Sequence, residues 1–432
     1  ICSLNVGINI DEENVSILLY ADDLVLLAGS ESDLQVLLDG LQLWCAENKM
    51  TINHNKSNVV HFRPNSTPRT INSFKCGELD INVVGKYTYL GLVLTEHLDY
   101  QIMAKHVAAS ANRALGLVIS KYKSFGGLPF DSFTKLYDSI VWSTISYGAA
   151  VWGDRTFSCI NSIQNKAIRF YMGVGRYTPN VAVNGDSAWK PPCVRQWRTV
   201  INQWNRLRYM NTDRLNKRIH NWAEHSFRRY KACKNSNYRL YQQFESCNIS
   251  DWYNDTNIHK TTVLAKIEDK LLTDFRNKWT EDLHRVSARR MDGGSNKLRT
   301  YRTFKTEISC ELYLKTLLSP AQRRAYSQFR CGVAPIRIET GRFERLPMHE
   351  RTCFMCETKT ETEEHVLIEC PLYDDLRNEL YEYINSVDEN FNMLTNREKL
   401  SFVLGCQNVN VIYKCAKTCK SILDRRRRFL YR

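Results

Sequence analysis

The sequence contains no run of about 18 uninterrupted apolar residues, the length a membrane-spanning helix takes, and so offers no segment that reads as one. It shows no secretory leader, an absence without weight in a chain that begins at Ile1 rather than at Met. No internal repeat is found. Acidic residues are in deficit: 46 Asp and Glu stand against 60 Lys and Arg, a net charge of +14. Such a surplus favours a polyanionic partner, nucleic acid among them, although a basic protein need not bind anything. Apolar material is ample. With 43% hydrophobic and 11% aromatic residues, 432 residues can fill more than one packed core. Fifteen cysteines in an unsignalled chain suggest reduced thiols of a cytosolic or nuclear protein. Cys415 and Cys419, one helical turn apart, read as packing residues.

The most informative segment is Tyr20-Ala21-Asp22-Asp23. The apolar run Val15-Ser16-Ile17-Leu18-Leu19 precedes it and Leu24-Val25-Leu26-Leu27-Ala28 follows. Two strand-length apolar runs joined by a tight polar tip predict a buried β-hairpin. A carboxylate pair pinned between apolar strands is expensive without a partner, which points to a divalent cation. Hard oxygen ligands suit Mg²⁺, and two-metal phosphoryl transfer is the chemistry such a pair serves. The plain alternative is an ordinary solvated turn whose Asp side chains bond the local backbone.

Next, Leu34, Leu37, Leu38, Leu41 and Trp44 fall on one face of a predicted helix. Asn53, Lys56 and Ser57 lead into the apolar stretch Val59-Val60-His61-Phe62. Lys86 to Leu94 reads as one strand, with Gly91 where another backbone could approach closely.

This order resembles the second half of a reverse transcriptase palm, specifically that of non-LTR (LINE-like) retrotransposons. The likeness lies in the Tyr-Ala-Asp-Asp hairpin, the amphipathic helix, the Asn-x-x-Lys-Ser segment and Tyr89-Leu90-Gly91. It continues through His97-Leu98-Asp99, Leu136-Tyr137, Tyr147-Gly148-Ala149, Val151-Trp152-Gly153 and Gln164–Phe170 to the Gly-Val-Gly at 173–175 and Thr178-Pro179-Asn180. It covers most of residues 1–210 and resumes near 320. The resemblance implies an RNA-directed DNA polymerase acting on an RNA template, a DNA primer and dNTPs. It implies that Asp22 bridges catalytic Mg²⁺ ions, that Asp23 assists, and that Tyr20 lies near the primer terminus. It further implies that Tyr89, Leu90 and Gly91 grip the primer and that Lys56 approaches the incoming triphosphate; without the flanking pattern Lys56 is a solvated surface lysine. A ribonucleoprotein of nucleus and cytoplasm is the corresponding localisation.

Polymerases of this type take a third carboxylate from an earlier palm strand, and fingers that hold template and nucleotide. Nineteen residues precede Tyr20, and Asp11, Glu12 and Glu13 read as a solvated turn. The expectation is therefore a polymerase fragment that copies no template alone, with an exposed apolar sheet edge.

Cys353-Phe354-Met355-Cys356, His365 and Cys370 give a C-x₂-C-x₈-H-x₄-C spacing. Three thiolates and an imidazole make a closed tetrahedral set, the signature of structural Zn²⁺; the alternative is reduced core cysteines beside an unrelated histidine. The flanking residues resemble the CCHC knuckle downstream of the polymerase in the same retrotransposon class. Two roles stand: a grip on nucleic acid, with Arg342, Arg345 and Arg351 just upstream, or a clip for a small domain.

From about residue 99 the pattern turns helical. Phe133, Leu136, Tyr137, Ile140, Val141, Thr144 and Ile145 repeat at helix spacing behind Asp131 as N-cap. Ile160, Ile163, Ala167, Ile168 and Tyr171 do the same. Trp189, Trp197, Trp204 and Trp222 alternate with arginines, either to stack bases or as core and cation–π filler. Residues 292–296 read as a linker, and Ala321–Arg330 as a helix carrying Arg323, Arg324 and Arg330. Arg425–Arg428 is either an import signal or nucleic-acid patch, or a solvated helix end favoured by the dipole. No endonuclease or RNase H residue set is recognisable.

The expected fold class is α+β: a partial antiparallel palm sheet, then a mainly helical thumb and connector and a small zinc knuckle. The segments are the palm at 1–95, a helical thumb at 96–175 and a basic helical connector at 176–345. The knuckle follows at 346–375 and a basic helical tail at 376–432.

Overall fold

The computed structural model describes residues 4–10, 13–229, 235–285 and 297–430. Asp11, Glu12 and the linker reading at 292–296 lie outside them. The fold is α+β as expected, mainly helical, with short strands grouped in small sheets. None of its described helices is long and apolar enough to cross a membrane. Two compact units are each assembled from separate stretches: 1–107, 148–157 and 196–268 in the first, 108–147, 158–195 and 269–432 in the second.

In the first unit the apolar run before Tyr20 is divided between two hairpins. Strands β1 (Ile8–Ile10) and β2 (Glu13–Val15) pair with each other, while β3 (Ile17–Tyr20) pairs with β4 (Asp23–Leu26). Glu13 thus opens a strand rather than sitting in the turn, and it ion-pairs with Arg218. Helix α1 (Glu31–Glu47) starts at Ser30, whose side chain accepts the Asp33 N–H at 3.1 Å. Its buried positions are Leu37, Leu38, Leu41 and Cys45, whereas Trp44 is 45% exposed. The apolar stripe is therefore turned by one residue at its C-terminal end, where Cys45 replaces Trp44.

Strands β5 (Asn58–Val59), β6 (Phe74–Cys76) and β7 (Leu79–Val83) form a sheet of order β5-β7-β6. Its β5–β7 pair is parallel. Leu38, Phe74, Cys76 and Ile81 form a core against which Leu26, Leu34, Ile52, Val59 and Val83 pack. Leu26 thus anchors the inner end of the β3–β4 ribbon.

Strands β8 (Lys86–Tyr89) and β9 (Leu92–Thr95) make another hairpin, followed by helix α2 (Tyr100–Ser124). Gly148, at φ +61°, lies against β9; a Cβ there would meet Leu92 Cδ2 at 2.4 Å, so the close approach requires glycine. In the helices Pro192–Arg208 and Ser236–Ser246, Trp204 packs on Phe244 with ring centroids 5.0 Å apart. Trp197 and Trp204 are buried, and Arg208 lies over Trp204 at 4.4 Å. These tryptophans are core and cation–π filler; Trp222 remains exposed.

The end of β9 is clamped by Glu96. Arg69 donates to both its carboxylate oxygens at 2.8 and 2.9 Å, and Arg63 reaches it at 3.0 Å. The Arg69 hydrogen bonds, against a smaller opposing effect of burial and with the Arg63 charge adding to them, hold the Glu96 carboxyl down at about 2. Because folding makes it a stronger acid, the clamp is complete above the ordinary glutamate value of 4.5. It is lost as pH falls through about 2. NMR titration should find Glu96 ionising near about 2, and Arg69→Gln should move that midpoint up toward the ordinary value. An ordinary midpoint in the unaltered chain would refute the clamp.

In the second unit, α3 (Phe130–Leu136) runs through a π-helical turn, Tyr137–Trp142, into α4 (Ser143–Ser146). Phe133, Tyr137, Val141 and Ile145 are all fully buried. Their spacing of four would drift off a continuous α-helical face, and the wider π turn holds them in line. Pro129, not Asp131, occupies the N-cap; Asp131 lies in the first turn, still favourable to the dipole. Helix α5 (Ser158–Met172) buries Ile160, Ile163, Ala167, Ile168 and Tyr171.

Helix α6 (Pro320–Arg330) is closed by a Ser319–Gln322 capping box. Its Arg323 and Arg330 are core residues. Arg323 stacks over Tyr171 at 3.9 Å and donates to the Tyr171 carbonyl. Arg330, 1% exposed, makes a two-pronged contact with Asp186 at 3.0 and 3.1 Å and reaches Glu311 at 3.1 Å. Tyr301 and Tyr313 donate to the same Asp186 carboxylate at 2.8 and 2.9 Å, and Lys305 pairs with Glu311. Burial works against the Arg330 charge, and Asp186 and Glu311 more than offset it. Helices α7 (Asp374–Asn385) and α8 (Val409–Leu430) complete the unit. Helix α8 packs on α6 and α7 and buries Cys415 and Cys419.

Candidate functional site

Tyr20 pairs with Asp23, so Ala21 and Asp22 form a two-residue turn, with Ala21 at φ +53°. The two aspartates are therefore adjacent at one bend, Asp22 in the turn and Asp23 opening β4. The ribbon is not buried as the sequence predicts: Leu19 is 69% and Tyr20 64% exposed, and both aspartates are exposed. Only its inner end reaches the core, because among the described residues β3 and β4 pair with no third strand. The result is the exposed apolar edge expected for this segment. Hard, solvated carboxylates side by side suit a Mg²⁺ that retains waters and phosphate oxygens. A metal held there would stabilise the attacking and leaving oxygens of a nucleotidyl transfer.

Lys56 is exposed on a short turn fixed by the Asn53 carbonyl, which accepts the Lys56 N–H at 3.1 Å and the Ser57 hydroxyl at 3.0 Å. The Tyr87 hydroxyl donates to the Lys56 carbonyl at 2.7 Å, tying this turn to β8. Asp22 and Asp23 form no ion pair with Lys56 among the described residues. Tyr89, Leu90 and Gly91 are not in mid-strand. Tyr89 pairs with Leu92, and Leu90 (φ +47°) and Gly91 (φ +75°) are the hairpin turn. The glycine supplies a left-handed turn residue rather than room for a neighbouring backbone.

The second site is the group Cys353, Cys356, His365 and Cys370, whose ligand atoms all lie within 4.8 Å of one another. A bridge between Thr352 and Thr360 closes the loop carrying the two first cysteines. His365 opens a π-helical turn, His365–Glu369, and Cys370 returns at its end, its N–H donating to the His365 carbonyl at 2.7 Å. Cys356 Sγ lies 3.3 Å from His365 Nε2. His365 Nδ1 is buried without a hydrogen-bond partner, 3.5 Å from Glu369 Oε2. Ligation through Nε2 would place the proton on Nδ1, toward that carboxylate.

Burial pushes the Cys353 thiol up to about 12 and raises Cys370. Burial opposes the Cys356 thiolate too, but hydrogen bonds from Thr358 and His365 win and bring it down to about 6. Without a cation the crowded sulfurs resist ionising together; a closed set of three sulfurs and one imidazole nitrogen fits structural Zn²⁺, which would hold them as thiolates.

Buried arginines brace this loop. Arg426 of α8 forms a two-pronged pair with fully buried Glu361 at 2.7 and 2.8 Å. Arg377 donates to the Cys370 carbonyl and pairs with Asp374. Arg351 donates to the Leu346 and Ile338 carbonyls. In the arginine run, Arg425 makes a surface pair with Asp375, whereas Arg426 is buried against Glu361. Sequence spacing singled out the four side chains that the fold brings together, but gave no sign of Glu361, Arg377 or Arg426 as their supports.

Residues 3–94 match a family model, that of reverse transcriptase (RNA-dependent DNA polymerase). The match takes in the Asp22–Asp23 hairpin, α1, the Lys56 turn and nearly all of the β8–β9 hairpin, and ends well before the Cys/His group. No curated protein matches the chain.

Proposed function

We propose that the chain is the C-terminal part of a reverse transcriptase of a non-LTR retrotransposon, built for RNA-templated DNA synthesis by two-metal nucleotidyl transfer. The observation that carries this is the aspartate pair at one hairpin bend within the residues that match the reverse transcriptase model. In this reading residues 1–95 are palm, 96–175 thumb, 176–345 connector, 346–375 a zinc knuckle and 376–432 a basic tail. Asp22 and Asp23 hold Mg²⁺, Tyr20 and Tyr89-Leu90-Gly91 face the primer, and Lys56 serves the dNTP triphosphate. Cys353, Cys356, His365 and Cys370 hold Zn²⁺. The working particle is a ribonucleoprotein of cytoplasm and nucleus.

The polypeptide alone is expected to copy no template. A two-metal site of this class takes a third carboxylate, and Asp22 and Asp23 belong to no group of three metal-ligating side chains among the described residues. Primer extension on an RNA template with Mg²⁺ and dNTPs should give no product. Joined in one frame to fingers and an upper palm bearing the third aspartate, the chain should extend the primer. Asp22→Asn should then abolish extension by on the order of 10³-fold, the scale of removing a principal electrostatic stabiliser from a transition state. Extension that survives Asp22→Asn would sink the catalytic assignment. A second reading, a nucleic-acid-binding remnant without catalysis, is favoured by the net charge of +14; stop codons immediately upstream in the gene would select it.

A further inference from the structure

A cleft of about 660 Å³ in the first unit is lined by Lys56, Lys86, Lys105 and His106, with Asn55 and Asn58 beside them. Three elements converge to make it. Lys56 is on the turn tied to β8 by Tyr87, and Lys86 opens β8. Lys105 and His106 project from α2, which is seated on β9 where the Val93 N–H points to Met103 Sδ at 3.2 Å. All three lysines are exposed, and none forms an ion pair or a side-chain hydrogen bond among the described residues. No carboxylate lines the cleft. By contrast, Arg63 and Arg69 of this unit are neutralised by Glu96, and Arg218 by Glu13. Three uncompensated ammonium groups around one concavity raise the local positive potential and draw an anion.

We infer that this cleft seats the phosphodiester backbone of a nucleic-acid strand, with Lys86 and Lys105 as phosphate contacts beyond those the proposed function assigns. The inference rests on that reading for its partner class. Lys56 keeps the triphosphate role the proposed function gives it; at Lys86 and Lys105 a metal–nucleotide is disfavoured because its Mg²⁺ would find no carboxylate in the lining. A phosphodiester needs only cations and neutral donors, and Lys86, Lys105, Asn55 and Asn58 supply both. Lysines act here as point charges, so the contact is sequence-independent and salt-sensitive.

The test is the salt dependence of binding of a labelled single-stranded RNA to the full chain, read by fluorescence anisotropy. Lys86→Ala with Lys105→Ala should weaken binding and reduce the slope of log affinity against log salt by about 1.4, about 0.7 per lost phosphate contact. Lys86→Arg with Lys105→Arg should keep the slope, and so should exchange of Lys75 and Lys278, exposed lysines outside the cleft. In the unaltered chain, bound RNA should shield Lys86 and Lys105 from acetylation, a measurement independent of any variant's folding. An unchanged slope in the double alanine variant overturns the inference and leaves the proposed function standing. Shielding by Mg·dATP or pyrophosphate but not by RNA also overturns it, in favour of a nucleotide. An unaltered chain that binds no RNA sinks both readings.

Discussion

Exchange of Cys370 for Ser is expected to strip the Cys/His group of its metal and to lower the unfolding temperature of the second unit by roughly 10 °C. The scale follows from the free energy of structural zinc binding, on the order of 10–16 kcal/mol in small zinc-binding peptides. If about a quarter of that reaches the unit's stability, the shift is ~5–16 °C at 2–4 °C per kcal/mol. The loss should spread because the loop is internally wired. Arg377 grips the Cys370 carbonyl, and Glu361 connects the loop to Arg426 of α8. Elemental analysis should find about one zinc per unaltered chain, the occupancy of a closed four-ligand site. Chelation by EDTA should reproduce the melting shift of the Cys370→Ser chain. A chain that purifies without zinc and melts identically with and without EDTA would refute the metal assignment.

Asp186→Ala should destabilise the second unit by about 3–5 kcal/mol, the penalty for leaving a buried guanidinium without its main counter-charge. Glu311 remains as a partner for Arg330, but it is shared with Lys305 and Gln407. The Tyr301 and Tyr313 hydroxyls also lose their common acceptor, which adds to the effect. Urea unfolding should show a lower midpoint. Combining Asp186→Leu with Arg330→Met should cost less than the single exchange, because no unpaired buried charge then remains. A single-variant loss below about 1 kcal/mol, the surface ion-pair scale, would contradict the buried placement.

The Cys/His group and the Asp22–Asp23 bend differ sharply in how far they could be read from the chain. The four candidate metal ligands lie within a stretch of 18 residues, and the spacing such a set takes is narrow, so pattern alone grouped the side chains that the fold brings together. The Asp22–Asp23 bend was legible because apolar runs flank it; its exposure was not, since periodicity cannot tell whether a third strand will cover a ribbon. The Leu90-Gly91 turn was hidden because a leucine took a left-handed position where a polar residue would have announced a bend. The arginines were the deepest failure. Arg323, Arg330 and Arg426 look like solvated cations in sequence, and only partners remote along the chain turn them into core. The π turn at Tyr137–Trp142 also left a trace, the spacing of four between buried side chains, which a strict α-helical period does not explain.

The Asp186–Arg330 pair spans 144 residues, and that separation has a consequence for synthesis. The acid leaves the ribosome long before its guanidinium exists. At translation rates of about 5–20 residues per second, the interval is roughly 7–30 s. Throughout it, Asp186 must stay in water, and the pocket that finally receives it cannot close. The Glu361–Arg426 pair, 65 residues apart, waits in the same way over a shorter span. Vectorial folding of this unit is therefore gated twice by late-arriving arginines, and nascent chains halted between residues 186 and 330 should remain open to proteases at the stretch around Asp186.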